Sequence, residues 1–165
     1  MQHLLIPSKR AKLLSEKGML KSIEKRLNCK IEVHDENQLV IEGDPYDEYN
    51  AKNVMSAFGR GFDIDQAYML LSDEYFFTPI NLKELFRSKD QITRVKGRII
   101  GQEGKTKEYI EAVSGAKLCI YEGTVSMIGT IEQIKVANVA IQILLEGGTH
   151  KKAYRVMEKA RRNLR

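Results

Sequence analysis

The chain has 165 residues, of which 42% are apolar and 30% charged, with a net charge of +5. That apolar share excludes a disordered chain, and the length suits one average domain or two small ones. No run approaches the roughly 18 uncharged apolar residues of a membrane span, and MQHLLIPSKR has no apolar stretch of signal-peptide length, so a cytoplasmic protein without membrane contact is expected.

Taken in chain order, HLLI opens the chain as a strand and residues 8–27 read as a pair of helices. CKIEV and QLVIE form a hairpin, and a helix from about Tyr46 to Phe58 closes the unit at Gly59-Arg60-Gly61-Phe62. Ile64–Leu71 is a short apolar connector. Tyr75–Leu82, rich in aromatic and β-branched residues, reads as another strand, with Pro79 suited to a sheet edge. Ile92, Val95 and Ile99 then sit three and four apart on one face of a helix that stops at Gly101-Gln102-Glu103-Gly104. Tyr109, Ile110 and Val113 give the next helix its apolar face, and Gly115 is its expected C-cap. KLCIY and TVSMIG form a second hairpin about Glu122-Gly123. A helix opens at Thr130-Ile131-Glu132-Gln133 and runs through Leu145; Gly147-Gly148 breaks it, and a basic helix over Thr149–Leu164 carries Ala153, Val156, Met157 and Ala160 on its apolar side.

The order β-α-α-β-β-α therefore occurs twice. Gly18 aligns with Gly104 and Gly43 with Gly129, and the self-similarity marks a duplicated module. The expected architecture is α+β: two tandem type I KH-like domains, each a three-stranded antiparallel sheet against three helices, with an added basic C-terminal helix. The expected boundaries are 1–72 for the first domain and 73–165 for the second.

Charge divides unevenly between the copies. Residues 1–75 hold 10 Lys/Arg against 13 Asp/Glu, and residues 76–165 hold 17 against 9. A field so polarised favours a polyanion on the basic half. Within that half, Gly101 and Gly104 bracket two polar residues where one helix ends and the next begins. Bare α-carbons let a nucleic-acid backbone approach the main chain, and the free N–H groups of a helix start point at whatever binds there. Lys105 and Lys107 adjoin the turn, and Arg94 and Arg98 on the preceding helix can add phosphate contacts. Gln102 and Glu103 form its tip, where the Glu103 carboxylate is the awkward member beside a phosphate. Ile100 is a candidate for the apolar floor of the groove, whereas Ile99 and Leu118 read as core. Such a GxxG turn between two helices and before a hairpin is the arrangement of the KH module, which clamps single-stranded nucleotides. Both Gly101→Asp and Gly104→Asp are expected to leave the fold intact and to remove most RNA binding.

The first copy departs at its turn, Ser15-Glu16-Lys17-Gly18, where a serine stands at the position of Gly101. Lys17 and Gly18 are therefore secondary candidates, and the acidic stretch 31–75 favours protein contact for this copy. A nucleoside-triphosphate loop ending in Gly104-Lys105-Thr106 would need a glycine at position 99, which is Ile. His3, His34 and His150 show no ligand spacing, Asp63 and Asp65 lack a second acidic pair, and Cys29 and Cys119 read as buried free thiols. No catalytic or metal-binding group and no cofactor is expected. The competing reading is a scaffold whose two modules dock mainly on proteins.

Together, KGRIIGQEGKTKEYIE at 96–111, the degenerate SEKG at 15–18 and GRGF at 59–62 resemble the archaeal tandem-KH relatives of the small-subunit ribosome assembly factor called partner of Nob. The resemblance implies a non-enzymatic factor that binds the 3′ region of small-subunit ribosomal RNA and works beside a processing endonuclease. A translation factor is a further possible partner. By the same resemblance, Gly101 to Gly104 are the RNA clamp, and Arg60 lies at the domain junction.

Overall fold

The computed structural model describes residues 1–164, which fall into two compact units, one over Met1–Ser72 and the other from Asp73 onward. Each has the βααββα order expected from the sequence.

In the first unit, β1 (Gln2–Leu5) leads into α1 (Ser8–Leu13) and α2 (Met19–Leu27); β2 (Lys30–His34) and β3 (Gln38–Glu42) follow, then α3 (Pro45–Gly59). The sheet is antiparallel in the order β1-β3-β2, with Leu39 opposite Leu4 on one side and Val33 on the other. Alternation along β3 turns Leu39 and Ile41 inward, where they meet Ile23, Val54, Met55 and Phe58 in the buried core. The segment read as an apolar connector is itself helical: α4 (Ile64–Ala67) and a 3₁₀ turn over Tyr68–Leu71 both pack on α3. Asp63, of the DxD pair, caps α4 by accepting from the Gln66 N–H at 2.7 Å.

The second unit comprises β4 (Phe76–Asn81), a short α5 (Leu82–Leu85), α6 (Lys89–Ile100), α7 (Lys105–Ser114), β5 (Lys117–Tyr121), β6 (Thr124–Gly129), α8 (Ile131–Leu145) and α9 (His150–Arg162). Its sheet repeats the first topology as β4-β6-β5, placing Pro79 on an edge strand and leaving every residue of the central β6 buried. Ile99, Ile110, Leu118, Met127, Ala137 and Ile141 form the heart of the core, and α9 adds Ala153 and Met157. Local capping explains where these helices start. Ser88 and Gln91 exchange a reciprocal side-chain box at the start of α6, as do Thr130 and Gln133 at α8, and Thr149 caps α9.

The duplication persists in details that alignment of glycines does not reveal. Glu24 accepts from the Ile31 N–H at 2.9 Å and Glu111 from the Leu118 N–H at 3.0 Å, each joining a helix to the strand seven residues on. Asn28 and Gly115 end the corresponding helices, both left-handed, at φ 53° and 83°. Neither cysteine forms a disulfide among the described residues; Cys29 is buried, and Cys119, on the edge strand β5, is only half-buried.

Candidate nucleic-acid interface

The turn between α6 and α7 is built from three departures from helix, at Gly101, Glu103 and Gly104. Gly101 lies at φ 76°, ψ 174°, while its N–H still bonds to Gly97 O at 2.8 Å. Glu103 and Gly104 are both left-handed, at φ 55° and 77°. Lys105 then begins α7. Asn81, Ser88, Thr130 and Thr149 cap α5, α6, α8 and α9, but Gly104 has no side chain with which to cap α7. The Lys105 N–H is held within the turn by Gln102 O, no side chain caps the start of α7, and the positive end of its dipole favours an anion.

The two glycines have different reasons to be glycine. A β-carbon on Gly101 would lie 2.1 Å from Thr106 Oγ1, 2.5 Å from Thr106 Cβ and 2.7 Å from Thr106 N. Thr106 is buried and its hydroxyl accepts the Tyr154 hydroxyl at 3.1 Å, so it is held in place. Gly101 is therefore required by the fold, and the expectation that Gly101→Asp leaves the structure intact is corrected. At Gly104 an added β-carbon would meet nothing within 4 Å, and its left-handed conformation is one that Asp and Asn adopt. Gly104 is the clean place to perturb the turn.

The remaining candidates separate by what they already touch. Gln102, Glu103, Lys105 and Arg94 are exposed around the turn, and Ile100 is half-buried on the side of α6 away from Arg94 and Arg98. Ile99 and Leu118 are core. Lys107 is paired with Glu111 at 3.6 Å, the carboxylate that also holds Leu118 N–H, so its ammonium is partly committed. Arg98 is committed more deeply. It donates to Leu144 O at 3.1 Å and to Gly148 O, where α8 ends and its last carbonyls need donors. Its main task is to join α6 to the α8–α9 corner.

An open cleft of about 420 Å³ runs from this turn to α9, lined by Arg94, Gly97, Arg98, Gly101, Gln102, Lys105, Thr106, His150 and Tyr154. Sequence reasoning did not place His150 or Tyr154 of α9 in its wall. His150 Nε2 lies 2.9 Å from Arg98 O, and the Tyr154 ring sits 4.6 Å from that of Tyr109. Tyr109 donates its hydroxyl to Glu158, and that bond, more than burial or the neighbouring charge, raises its phenol above the ordinary value. The i, i+4 spacing of His150 and Tyr154 is visible in the sequence, but nothing there ties α9 to the turn.

In the first unit the secondary candidates Lys17 and Gly18 sit together at the α1–α2 turn, both exposed. That turn has a different backbone: Gly18 is left-handed at φ 80°, but Ser15 and Lys17 are not among the positive-φ residues, and Ser15 Oγ donates to Lys12 O at 2.6 Å. A cleft of about 500 Å³ in this unit, lined by Lys21, Glu24, Lys25, Asn28, Cys29, Lys30 and Glu42, contains none of the turn residues. Arg60 is the half-buried C-cap of α3, its N–H bonded to Ser56 O and Ala57 O. A residue the sequence did not flag, Arg10, fixes the GRGF segment: it donates to Phe58 O at 2.9 Å and Phe62 O at 2.7 Å, and its guanidinium lies 4.4 Å from the centre of the Phe58 ring.

Comparison with known proteins bears on the same residues. The model of the eukaryotic-type KH domain (KH-domain type I) matches residues 76–162, which include the turn, the cleft and all of α9. The KH domain-containing protein MJ0443 of Methanocaldococcus jannaschii is 37% identical over 159 residues, 93% of this chain and 70% of that protein. The chain belongs to the Dim2p/PNO1 family of KH-domain proteins. Dim2p from Pyrococcus horikoshii OT3 is similar along nearly its whole length, at 36% identity and a TM-score of 0.87, covering 96% of this chain and 98% of that one. The same family member in the a/eIF2alpha-aDim2p-rRNA complex from P. horikoshii OT3 gives 34% identity and a TM-score of 0.89, covering 98% and 94%. Eukaryotic PNO1 relatives are longer, and the chain spans between 38% and 56% of those it matches.

Proposed function

We propose that this Dim2p/PNO1-family chain is a cytoplasmic, non-enzymatic ribosome-assembly factor that holds single-stranded RNA, from the 3′ region of small-subunit ribosomal RNA, on its second unit. The observation that carries the reading is the side-chain-uncapped start of α7 beside the open, left-handed Gly104, with Arg94 and Lys105 exposed around it. A phosphate placed there meets a positive helix end and two cations. Bases splay from the turn toward Ile100, where aliphatic surface and their Watson–Crick edges provide selectivity. The solved rRNA complex of the P. horikoshii relative supports RNA as the ligand class. A protein surface for an rRNA-processing endonuclease or a translation factor fits the first unit, whose turn has lost the glycine path and whose residues 31–72 hold nine acids and two bases.

The test is salt-titrated binding of wild type and Gly104→Asp to an RNA copying the small-subunit 3′ end, beside a scrambled RNA. Charge-assisted phosphate contacts are each worth about 1.5–3 kcal/mol, so Gly104→Asp should lose about tenfold to a hundredfold in affinity. Gly18→Asp should lose much less. Unchanged affinity in a folded Gly104→Asp protein would sink the clamp and return the scaffold reading to first place.

A further inference from the structure

α9 has two unlike sides. Ala153 and Met157 are buried against α8 and α7, with Val156 and Ala160 half-buried beside them. At 3.6 residues per turn, Lys151, Lys152, Arg155, Lys159 and Arg162 fall together on the opposite side, and all five are exposed. None of the five makes a side-chain hydrogen bond or ion pair among the described residues. The only acid of the helix, Glu158, is occupied by the Tyr109 hydroxyl. Lys151, Arg155 and Lys159 are spaced i, i+4, i+8, so like charges are neighbours along the outer face, an arrangement that opposes helix formation when nothing neutralises it.

This face and the cleft of the turn both reach the start of α9. The cleft that begins at Gly101, Gln102 and Lys105 ends on His150 and Tyr154, in the first turns of α9. A second cleft of about 310 Å³, lined by Thr149, Lys151, Lys152 and Arg155, starts there. We infer that α9 is a second RNA-binding element, which takes the phosphodiester backbone as the strand leaves the GQEG turn through the cleft beside Tyr154. The inference rests on the proposed RNA clamp. The outer face offers cations and no aromatic side chain, so it holds phosphates and does not read bases. Over 13 residues the helix gives the strand about 20 Å of track. An acidic protein would satisfy the same charges, but only a strand already seated at the turn would be led onto the helix by the cleft.

The experiment compares wild type with a Lys151→Gln/Arg155→Gln/Lys159→Gln variant, whose substitutions are all exposed, using the full chain. The probes are an RNA of about four nucleotides, the length a KH clamp holds, and the same RNA extended by about four at either end. Extension at one end should tighten wild-type binding about tenfold and steepen its salt dependence by about 0.7 per added phosphate contact. The variant should bind the short RNA as wild type does and gain nothing from extension. Extension that tightens both proteins equally would overturn the inference. Failure of the short RNA to distinguish wild type from Gly104→Asp overturns the clamp and the path from it, whereas a Gly104→Asp loss with equal extension effects in wild type and the α9 variant overturns the α9 inference alone.

Discussion

Replacing Gly101 with alanine should damage the second unit far more than the same change at Gly104. At Gly101 the new carbon falls 2.5 Å from Thr106 Cβ and 2.7 Å from Thr106 N, neither of which can rotate away. The backbone there, φ 76° and ψ 174°, also lies in a region essentially reserved for glycine, where another residue costs about 1–3 kcal/mol. Forcing the overlap into a packed site adds about 1–3 kcal/mol, giving roughly 2–6 kcal/mol in all. Gly104 meets no neighbour and carries only the left-handed cost of about 1–2 kcal/mol. The assay is native-state hydrogen exchange at α6 and α7 amides, which isolates the second unit in a chain with two unfolding units. Truncating Thr106 to alanine in the Gly101→Ala background should not restore stability, because Cβ and N stay in place. Equal losses at the two glycines, or full rescue by Thr106→Ala, would refute the claim that Thr106 dictates Gly101.

Arg10→Leu should destabilise the first unit by about 2–3 kcal/mol, since it removes charge-assisted bonds to Phe58 O and Phe62 O; urea unfolding of the first unit checks this. Arg98→Met should loosen the α8–α9 corner by a similar amount, read as faster exchange of the α9 amides, and should lower RNA affinity less than Arg94→Met. The Tyr109 phenol is raised in the folded state, chiefly by its bond to Glu158, relative to about 10 in an unfolded chain. The stability it contributes is therefore complete below that value and is lost as pH rises through the folded one. An alkaline titration of α9 docking should show this step in wild type and lose it in Tyr109→Phe.

The fold was legible because each level of the sequence agreed. Period-two hairpins, Gly115 as a helix stop and the Thr130–Gln133 helix start all name local structures that the core then uses. What stayed hidden depended on contacts between distant residues. Arg94 and Arg98 look alike on the page, yet the helix wheel alone does not say that Arg98 will face the unsatisfied carbonyls of Leu144 and Gly148. Gly101 and Gly104 likewise read as one motif, and only the placement of Thr106 separates a packing requirement from an open surface. The helical content of Ile64–Leu71 was masked because two short turns give too few residues for periodicity.

The different paths of the two α-α turns limit what simple reversion can do. The second turn has three residues at positive φ, while the first has Gly18 alone and ties Ser15 back to Lys12. Writing GQEG into positions 15–18 would supply the glycines without the Thr106–Tyr154 buttress that shapes them in the other copy. Glycines alone therefore do not give the first copy the backbone path of the second.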